Sequence, residues 1–408
     1  MERLQQRTGF FGYLFRTSKP NPDPVPSMSP HLFDVPPRKP AQDFVLEPSS
    51  QRAVGGSESQ ISRDPPSQNF GPQDLSAEKD KVISHINTML SDIYTKTQCK
   101  LEGVLADYIP ELANVNPDKF GIAIATANGQ VQTIGDAQTE FTIQSTSKAL
   151  TYCLALELCG REQVFARVGV EPSGDPFNAI EFNPVTRRPY NPMVNAGAIA
   201  ISGMLRDAVG ADAAFDLVLD RFSQAAGRQL KLNQDVYNSE VTTGHRNRAI
   251  AHLLLSAGAL NEPVEPALDL YFKQCSIMVS ATDLAMIGAT LANLGVHPIT
   301  GRQVFDIDAV RDTQAVMFTC GMYDYSGGWA FDVGIPAKSG VGGGILGVVN
   351  RQLGIGTYSP KLDPNGNSVR GVASFKMMSD GLGLHAFDLT NTGSAYVGTL
   401  FETKSANI

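Results

Sequence analysis

Ser145-Thr146-Ser147-Lys148 sets a hydroxyl and an amine three residues apart, a spacing that shares one face of a helix. A serine hydroxyl is a poor nucleophile until a neighbouring base removes its proton. A lysine does this when burial lowers its pKa toward the working pH. The start of a helix adds backbone N–H groups aimed at any oxyanion formed there. The same pattern recurs at Ser76-Ala77-Glu78-Lys79, in a charged stretch that reads as an ordinary helix start. Context separates the two. Lys148 leads into Ala149-Leu150-Thr151-Tyr152-Cys153-Leu154-Ala155-Leu156, nearly all apolar, so this helix is expected to be buried and its lysine desolvated.

A second candidate is Lys338-Ser339-Gly340, which runs into Val341-Gly342-Gly343-Gly344. Penicillin-recognising serine enzymes pair an S-x-x-K helix with a Lys-Thr-Gly strand, and Lys-Ser-Gly keeps both the positive charge and the small residues. Other chemistries find little support. His31, His85, His245, His252, His297 and His385 show no H-x-x-x-H or H-E-x-x-H spacing, so a zinc hydrolase is not expected. Neither a G-x-S-x-G elbow nor a G-x-x-x-x-G-K-[ST] loop is present.

The elements that must position these groups follow from periodicity. Val82, Ile83, Ile86, Met89, Leu90 and Ile93 recur at helical spacing. Phe120–Ala125 and Gln130–Ile134 read as strands joined at Asn128-Gly129, a strong hairpin signal. The chain then reads as helical over 146–159, 194–207, 211–225, 247–257, 263–273, 281–294 and 307–319. Strand character returns at 330–337, 344–349 and 353–358, and a last helix spans 368–382. Strands at both ends with helices between predict an α+β fold: a sheet layer made by the two ends and a helical lobe over about 150–320.

Residues 1–77 hold 12 of the 25 prolines and few apolar residues, and are expected to be a disordered tail ahead of a catalytic domain at 78–408. The apolar run Gly9–Phe15 is far shorter than the roughly 20 residues needed to span a bilayer, and lacks a secretory cleavage pattern. The net charge of -8, with no basic block, recruits no nucleic acid. Five widely spaced cysteines form neither a disulfide framework nor a zinc ribbon, and a cytoplasmic location is expected.

From about residue 80 onward the chain closely resembles the serine-dependent glutaminases. The blocks that carry the resemblance are Ala106–Ala113, Phe141–Ser145, Glu171–Gly174 with Phe177-Asn178, Asn191–Ile199, Cys320–Asp324 and Pro336–Val341. The resemblance implies a β-lactamase-like fold, an antiparallel sheet flanked by helices, and hydrolysis of L-glutamine to L-glutamate and ammonia without metal or cofactor. It implies Ser145 as nucleophile, Lys148 as general base, and the N–H groups of Ser145 and Val341 as an oxyanion hole. Asn195, Glu240, Asn247, Tyr271 and Tyr323 would line the glutamine pocket, with Tyr108 closing over it. It also implies a homodimer or homotetramer.

These roles make chemical sense. Free glutamine carries an ammonium and a carboxylate beside its amide. Glu240 suits the ammonium, and the uncharged Asn195 and Asn247 offer directional donors. Tyr323 suits proton delivery to departing ammonia. Locally, Asn238-Ser239-Glu240-Val241 reads as a loop and Leu268–Phe272 as core packing. The alternatives are a β-lactam-type serine hydrolase, which lacks a place for the Asn191–Ile199 block, and an inactive glutamine-binding sensor.

Overall fold

In the computed structural model, residues 72–174, 180 and 182–388 are described. The expected tail lies outside them as far as residue 71, and from Pro72 the chain is already helical. Helix α1 (Pro72–Thr97) buries Ile86, Leu90 and Ile93 along one side. A single turn, α2 (Pro110–Ala113), interrupts the loop that follows. The hairpin β1 (Gly121–Thr126) and β2 (Val131–Gly135) pairs Ala125 with Val131, and Gly129 takes a φ of +88° in the turn. Only glycine adopts that conformation freely.

Next come β3 (Phe141–Thr142), α3 (Ser147–Cys159), α4 (Arg161–Arg167), α5 (Asn195–Val209) and α6 (Ala211–Ala226). They are followed by β4 (Lys231–Leu232), α7 (Gln234–Thr243), α8 (His245–Ser256), α9 (Glu265–Cys275) and β5 (Ile277–Val279). The chain then forms α10 (Ala281–Ala292), α11 (Ile307–Cys320), α12 (Ser326–Asp332), β6 (Ala337–Ser339), β7 (Gly344–Val349), β8 (Leu353–Tyr358) and α13 (Val369–Leu382).

The main sheet runs β2-β1-β8-β7-β6, every neighbour antiparallel, so strands from before and after the long helical stretch share one sheet. Its strands alternate between two cores, as a period of two requires. Ile122, Ile124, Ile345, Val349, Leu353 and Ile355 face α1 and α13. Ala123, Ala125, Leu346, Val348 and Tyr358 face α10 and the helical lobe. Helix α10 lies almost on the strands, because side chains at Gly354 and Gly356 would collide with its main chain at Ala285 and Ala281. A capping box between Ser280 and Asp283 starts this helix. A small sheet, β3-β5-β4, ties the Ser145 region to α9 and α10.

The structure departs from the sequence reading at 330–337. Instead of a strand there, α12 runs to Asp332 and only Ala337–Ser339 is extended. Short apolar runs do not separate helix from strand by periodicity alone. Trp329 decides the outcome here: it is fully buried, its indole N–H donates to Ile335 O at 2.7 Å, and its ring packs on Phe375. Helices α4 and α7 were not read from the sequence either. Among the described residues, no helix is long and apolar enough to cross a membrane, and all five cysteines are free.

Candidate active site

Ser145 sits in a 3-10 turn, Gln144–Thr146, between β3 and α3. The turn is held from both sides. Ile143 N–H donates to Ile277 O of β5 at 2.8 Å, and Ser147 Oγ donates to Gln144 O at 2.7 Å. Gln144 takes a φ of +48°, a left-handed conformation uncommon for a residue with a side chain. Such conformations persist where surrounding bonds enforce them, often at functional sites.

Lys148 lies in the first turn of α3 and is 1% exposed. Its Nζ donates to Asn195 Oδ1 at 2.6 Å, and Asn195 Nδ2 donates in turn to Asn247 Oδ1 at 3.1 Å. Asn195 opens α5 and Asn247 lies in the first turn of α8, so two helix starts converge on the lysine. The Tyr271 ring stands 5.9 Å from the amine. Burial lowers the Lys148 pKa to about 8, with the thiol of Cys275 and the carboxyl of Glu240 pulling weakly the other way.

Tyr323 also takes a left-handed φ, +56°. Its hydroxyl donates to Ser339 O at 3.0 Å, and Ser145 hydrogen-bonds the same phenol. Burial pushes the phenol's pKa up, and the bond with Ser145 opposes that push. Lys338, fully buried on β6, donates to Gly321 O at 3.0 Å and Ser339 O at 2.7 Å, with its Nζ 4.3 Å from the Tyr323 ring centre. Burial, and next the charge of Lys148, hold this second lysine well below its ordinary pKa.

Glu240 is in α7, not in a loop, and is 6% exposed. Tyr108 OH donates to Glu240 Oε1 at 2.8 Å and to Gln144 Oε1 at 3.2 Å. Burial raises the Glu240 pKa, against hydrogen bonds from Tyr108 and Gln144 and the charge of Lys148. Val341 lies in the turn after β6. That turn abuts the serine turn closely: a Cβ on Gly340 would stand 2.8 Å from Ile143 O, and one on Gly342 2.6 Å from Thr142 O. Val341 and Tyr108 also flank one apolar cluster, Ile109, Leu112 and Val236.

The nine residues given a site role by the family resemblance therefore fall in one connected set. Three more join them. Gln144 was quoted only as part of a block, although it adjoins the serine and its side chain meets Tyr108 and Glu240. Lys338 was singled out as a motif but not placed against Tyr323. Cys275 reads in the sequence as a small buried hydrophobe, yet its thiol neighbours Lys148, Tyr271 and Ser147, and burial holds its pKa near 12.

A serine at the head of a buried helix, a lysine one turn along and a lysine-bearing strand lie together on an antiparallel sheet with a helical lobe, the architecture of the β-lactamase-like fold. The glutaminase family model matches residues 103–387. The glutaminase of Trichormus variabilis is 52% identical over 305 residues, covering 75% of this chain and 91% of that protein. That of Corynebacterium glutamicum is 44% identical, covering 74% and 73%. Among solved structures, Mglu in its glutamate form superposes with a TM-score of 0.69 at 41% identity, over 73% of this chain and 68% of that one. A probable glutaminase, ybaS, gives a TM-score of 0.69 at 39% identity, over 78% and 99%. The chain belongs to the glutaminase family.

Proposed function

We propose that the chain hydrolyses L-glutamine to L-glutamate and ammonia through a γ-glutamyl ester on Ser145, with residues 78–408 as the catalytic domain. The observation that carries this reading is the buried Lys148 amine, brought to a pKa of about 8 one turn from a serine already bonded to Tyr323.

Lys148, in its neutral form, takes the Ser145 proton as Oγ attacks the side-chain carbonyl carbon. The N–H groups of Ser145 and Val341 receive the oxyanion; the close packing of the Gly340–Gly343 turn on the serine turn supports that role. Each such donor contributes about 100-fold or more in acyl transfer. Collapse of the tetrahedral adduct breaks the C–N bond, and the proton held by Lys148 passes through Tyr323 to the leaving nitrogen, releasing ammonia. Water then attacks the ester, the same base takes its proton, and Ser145 leaves with it.

Recognition of the free amino acid follows from charge. A buried Glu240 carboxyl is already out of water, so an incoming ammonium gains a strong charge-assisted hydrogen bond. Asn247, its Oδ1 engaged by Asn195, turns its own amide N–H groups toward a substrate carboxylate. Mglu has been solved in a glutamate form, which is the product this reading requires.

Ammonia release from glutamine and from asparagine, measured on the purified protein, tests the reading. Asparagine is one methylene shorter, which moves its amide off Ser145, and a misplacement of about 1 Å costs on the order of 100-fold. Glutamine bound without ammonia release would instead mark a sensor.

A further inference from the structure

The segment between α1 and β1 holds little regular structure, yet it supplies one wall of the site. Tyr108 reaches Glu240 and Gln144, while Ile109 and Leu112 pack on Val236 of α7 beside Val341. Glu111 accepts a bond from Ser239 Oγ at 2.9 Å. A loop of this length has many conformations, and something must hold its ends.

Arg370, in the first turn of α13, is 4% exposed, and its guanidinium is directed at main-chain carbonyls. Nε donates to Lys100 O at 3.0 Å and an Nη donates to Asp118 O at 3.1 Å. Those two carbonyls are the two stems of the segment. The guanidinium also lies 5.6 Å from the Phe120 ring centre, a cation–π distance. Other ties from the same region reach the first stem alone: Lys361 Nζ to Leu101 O at 2.8 Å, and the Val104–Leu362 bridge at 3.0 and 2.8 Å. Arg370 spans both stems, which the fixed fork of an arginine can do and a lysine cannot.

We infer that Arg370 is a positioning residue for substrate recognition: it fastens both stems of segment 100–118 and so seats Tyr108 against Glu240 and Gln144. This rests on the glutamine-pocket reading above. The residue acts through Tyr108 and touches no reacting atom.

The test compares full-length wild type, Arg370→Met and Arg370→Lys. Kinetics are measured with glutamine and with glutaramate, which lacks the α-amino group, alongside hydrogen exchange across residues 101–118. Arg370→Met is expected to raise KM for glutamine about tenfold with little change in kcat, the size of one lost charge-assisted bond. Glutaramate is expected to be affected less. Exchange is expected to quicken in 101–118 and not in β7 or β8, and Arg370→Lys to recover part of the loss. Wild-type KM and exchange in a folded Arg370→Met, or equal loss for both substrates, would overturn the inference. If Arg370→Met does not fold, Arg370→Gln takes its place with the same outcomes. A wild type inactive on glutamine sinks the pocket reading itself, whereas an active wild type with indifferent variants sinks only the role of Arg370.

Discussion

The Tyr108 hydroxyl donates to Glu240 Oε1 at 2.8 Å, joining residues 132 positions apart in the chain. It shares its single proton with Gln144 Oε1 at 3.2 Å, so one phenol links the loop wall, α7 and the residue preceding Ser145. Tyr108→Phe is expected to raise KM for glutamine about tenfold while kcat changes little, since one hydrogen bond to a charged group is lost. Steady-state kinetics would show this, and a fall in kcat at constant KM would contradict it.

Glu240→Gln keeps the shape and removes the charge proposed to meet the ammonium. Losing one partner of a desolvated charge pair costs about 2–5 kcal/mol, so kcat/KM for glutamine is expected to fall at least about 30-fold. Glutaramate has no ammonium to place and should be nearly indifferent. Parallel measurements on the two substrates decide the matter: equal losses would remove Glu240 from ammonium recognition.

The rate should depend on pH through Lys148. The base works when neutral, and burial holds its pKa at about 8. Activity is therefore expected to rise with pH up to about 8 and to fall about tenfold per unit below it. Lys148→Met should be inactive across the range, yet no less stable at pH 7, because a buried amine that resists protonation is costly to the fold. A flat kcat/KM profile between pH 6 and 9, a range set by that pKa, would rule out the lysine as base.

Tyr323→Phe removes the hydroxyl that meets Ser145 and Ser339 O and leaves the ring over Lys338. A positioned proton-transfer group contributes about 100-fold or more, so kcat is expected to drop by that order with KM near wild type. Unchanged kcat would leave the phenol a packing role only.

Much of this was legible in the sequence because two periodicities carry it. The Asn128-Gly129 hairpin and the strand-like runs 344–349 and 353–358 place the sheet, and the apolar run after Lys148 announces a buried helix. Glu240 was not legible locally. Asn238-Ser239-Glu240-Val241 has the composition of a loop, and its burial comes from Tyr108, far away in the chain. The segment 330–337 was misread for a related reason: the neighbouring Trp329 is held in the core by Ile335 and Phe375, which periodicity does not reveal. Gln144 and Lys338 were in view as letters. Their bonds to Tyr108, and to Gly321 O and Ser339 O, depend on a left-handed turn and on a strand edge that local pattern cannot place.

The central claim is a covalent intermediate on Ser145. Wild type mixed with glutamine is quenched in acid within one turnover, digested, and the peptide bearing Ser145 weighed, with Ser145→Ala treated alongside. The account predicts a γ-glutamyl group on that serine in wild type, none in the variant, and no ammonia from the variant beyond background. Ammonia released at the wild-type rate by Ser145→Ala, or a γ-glutamyl group found on another residue, would contradict it.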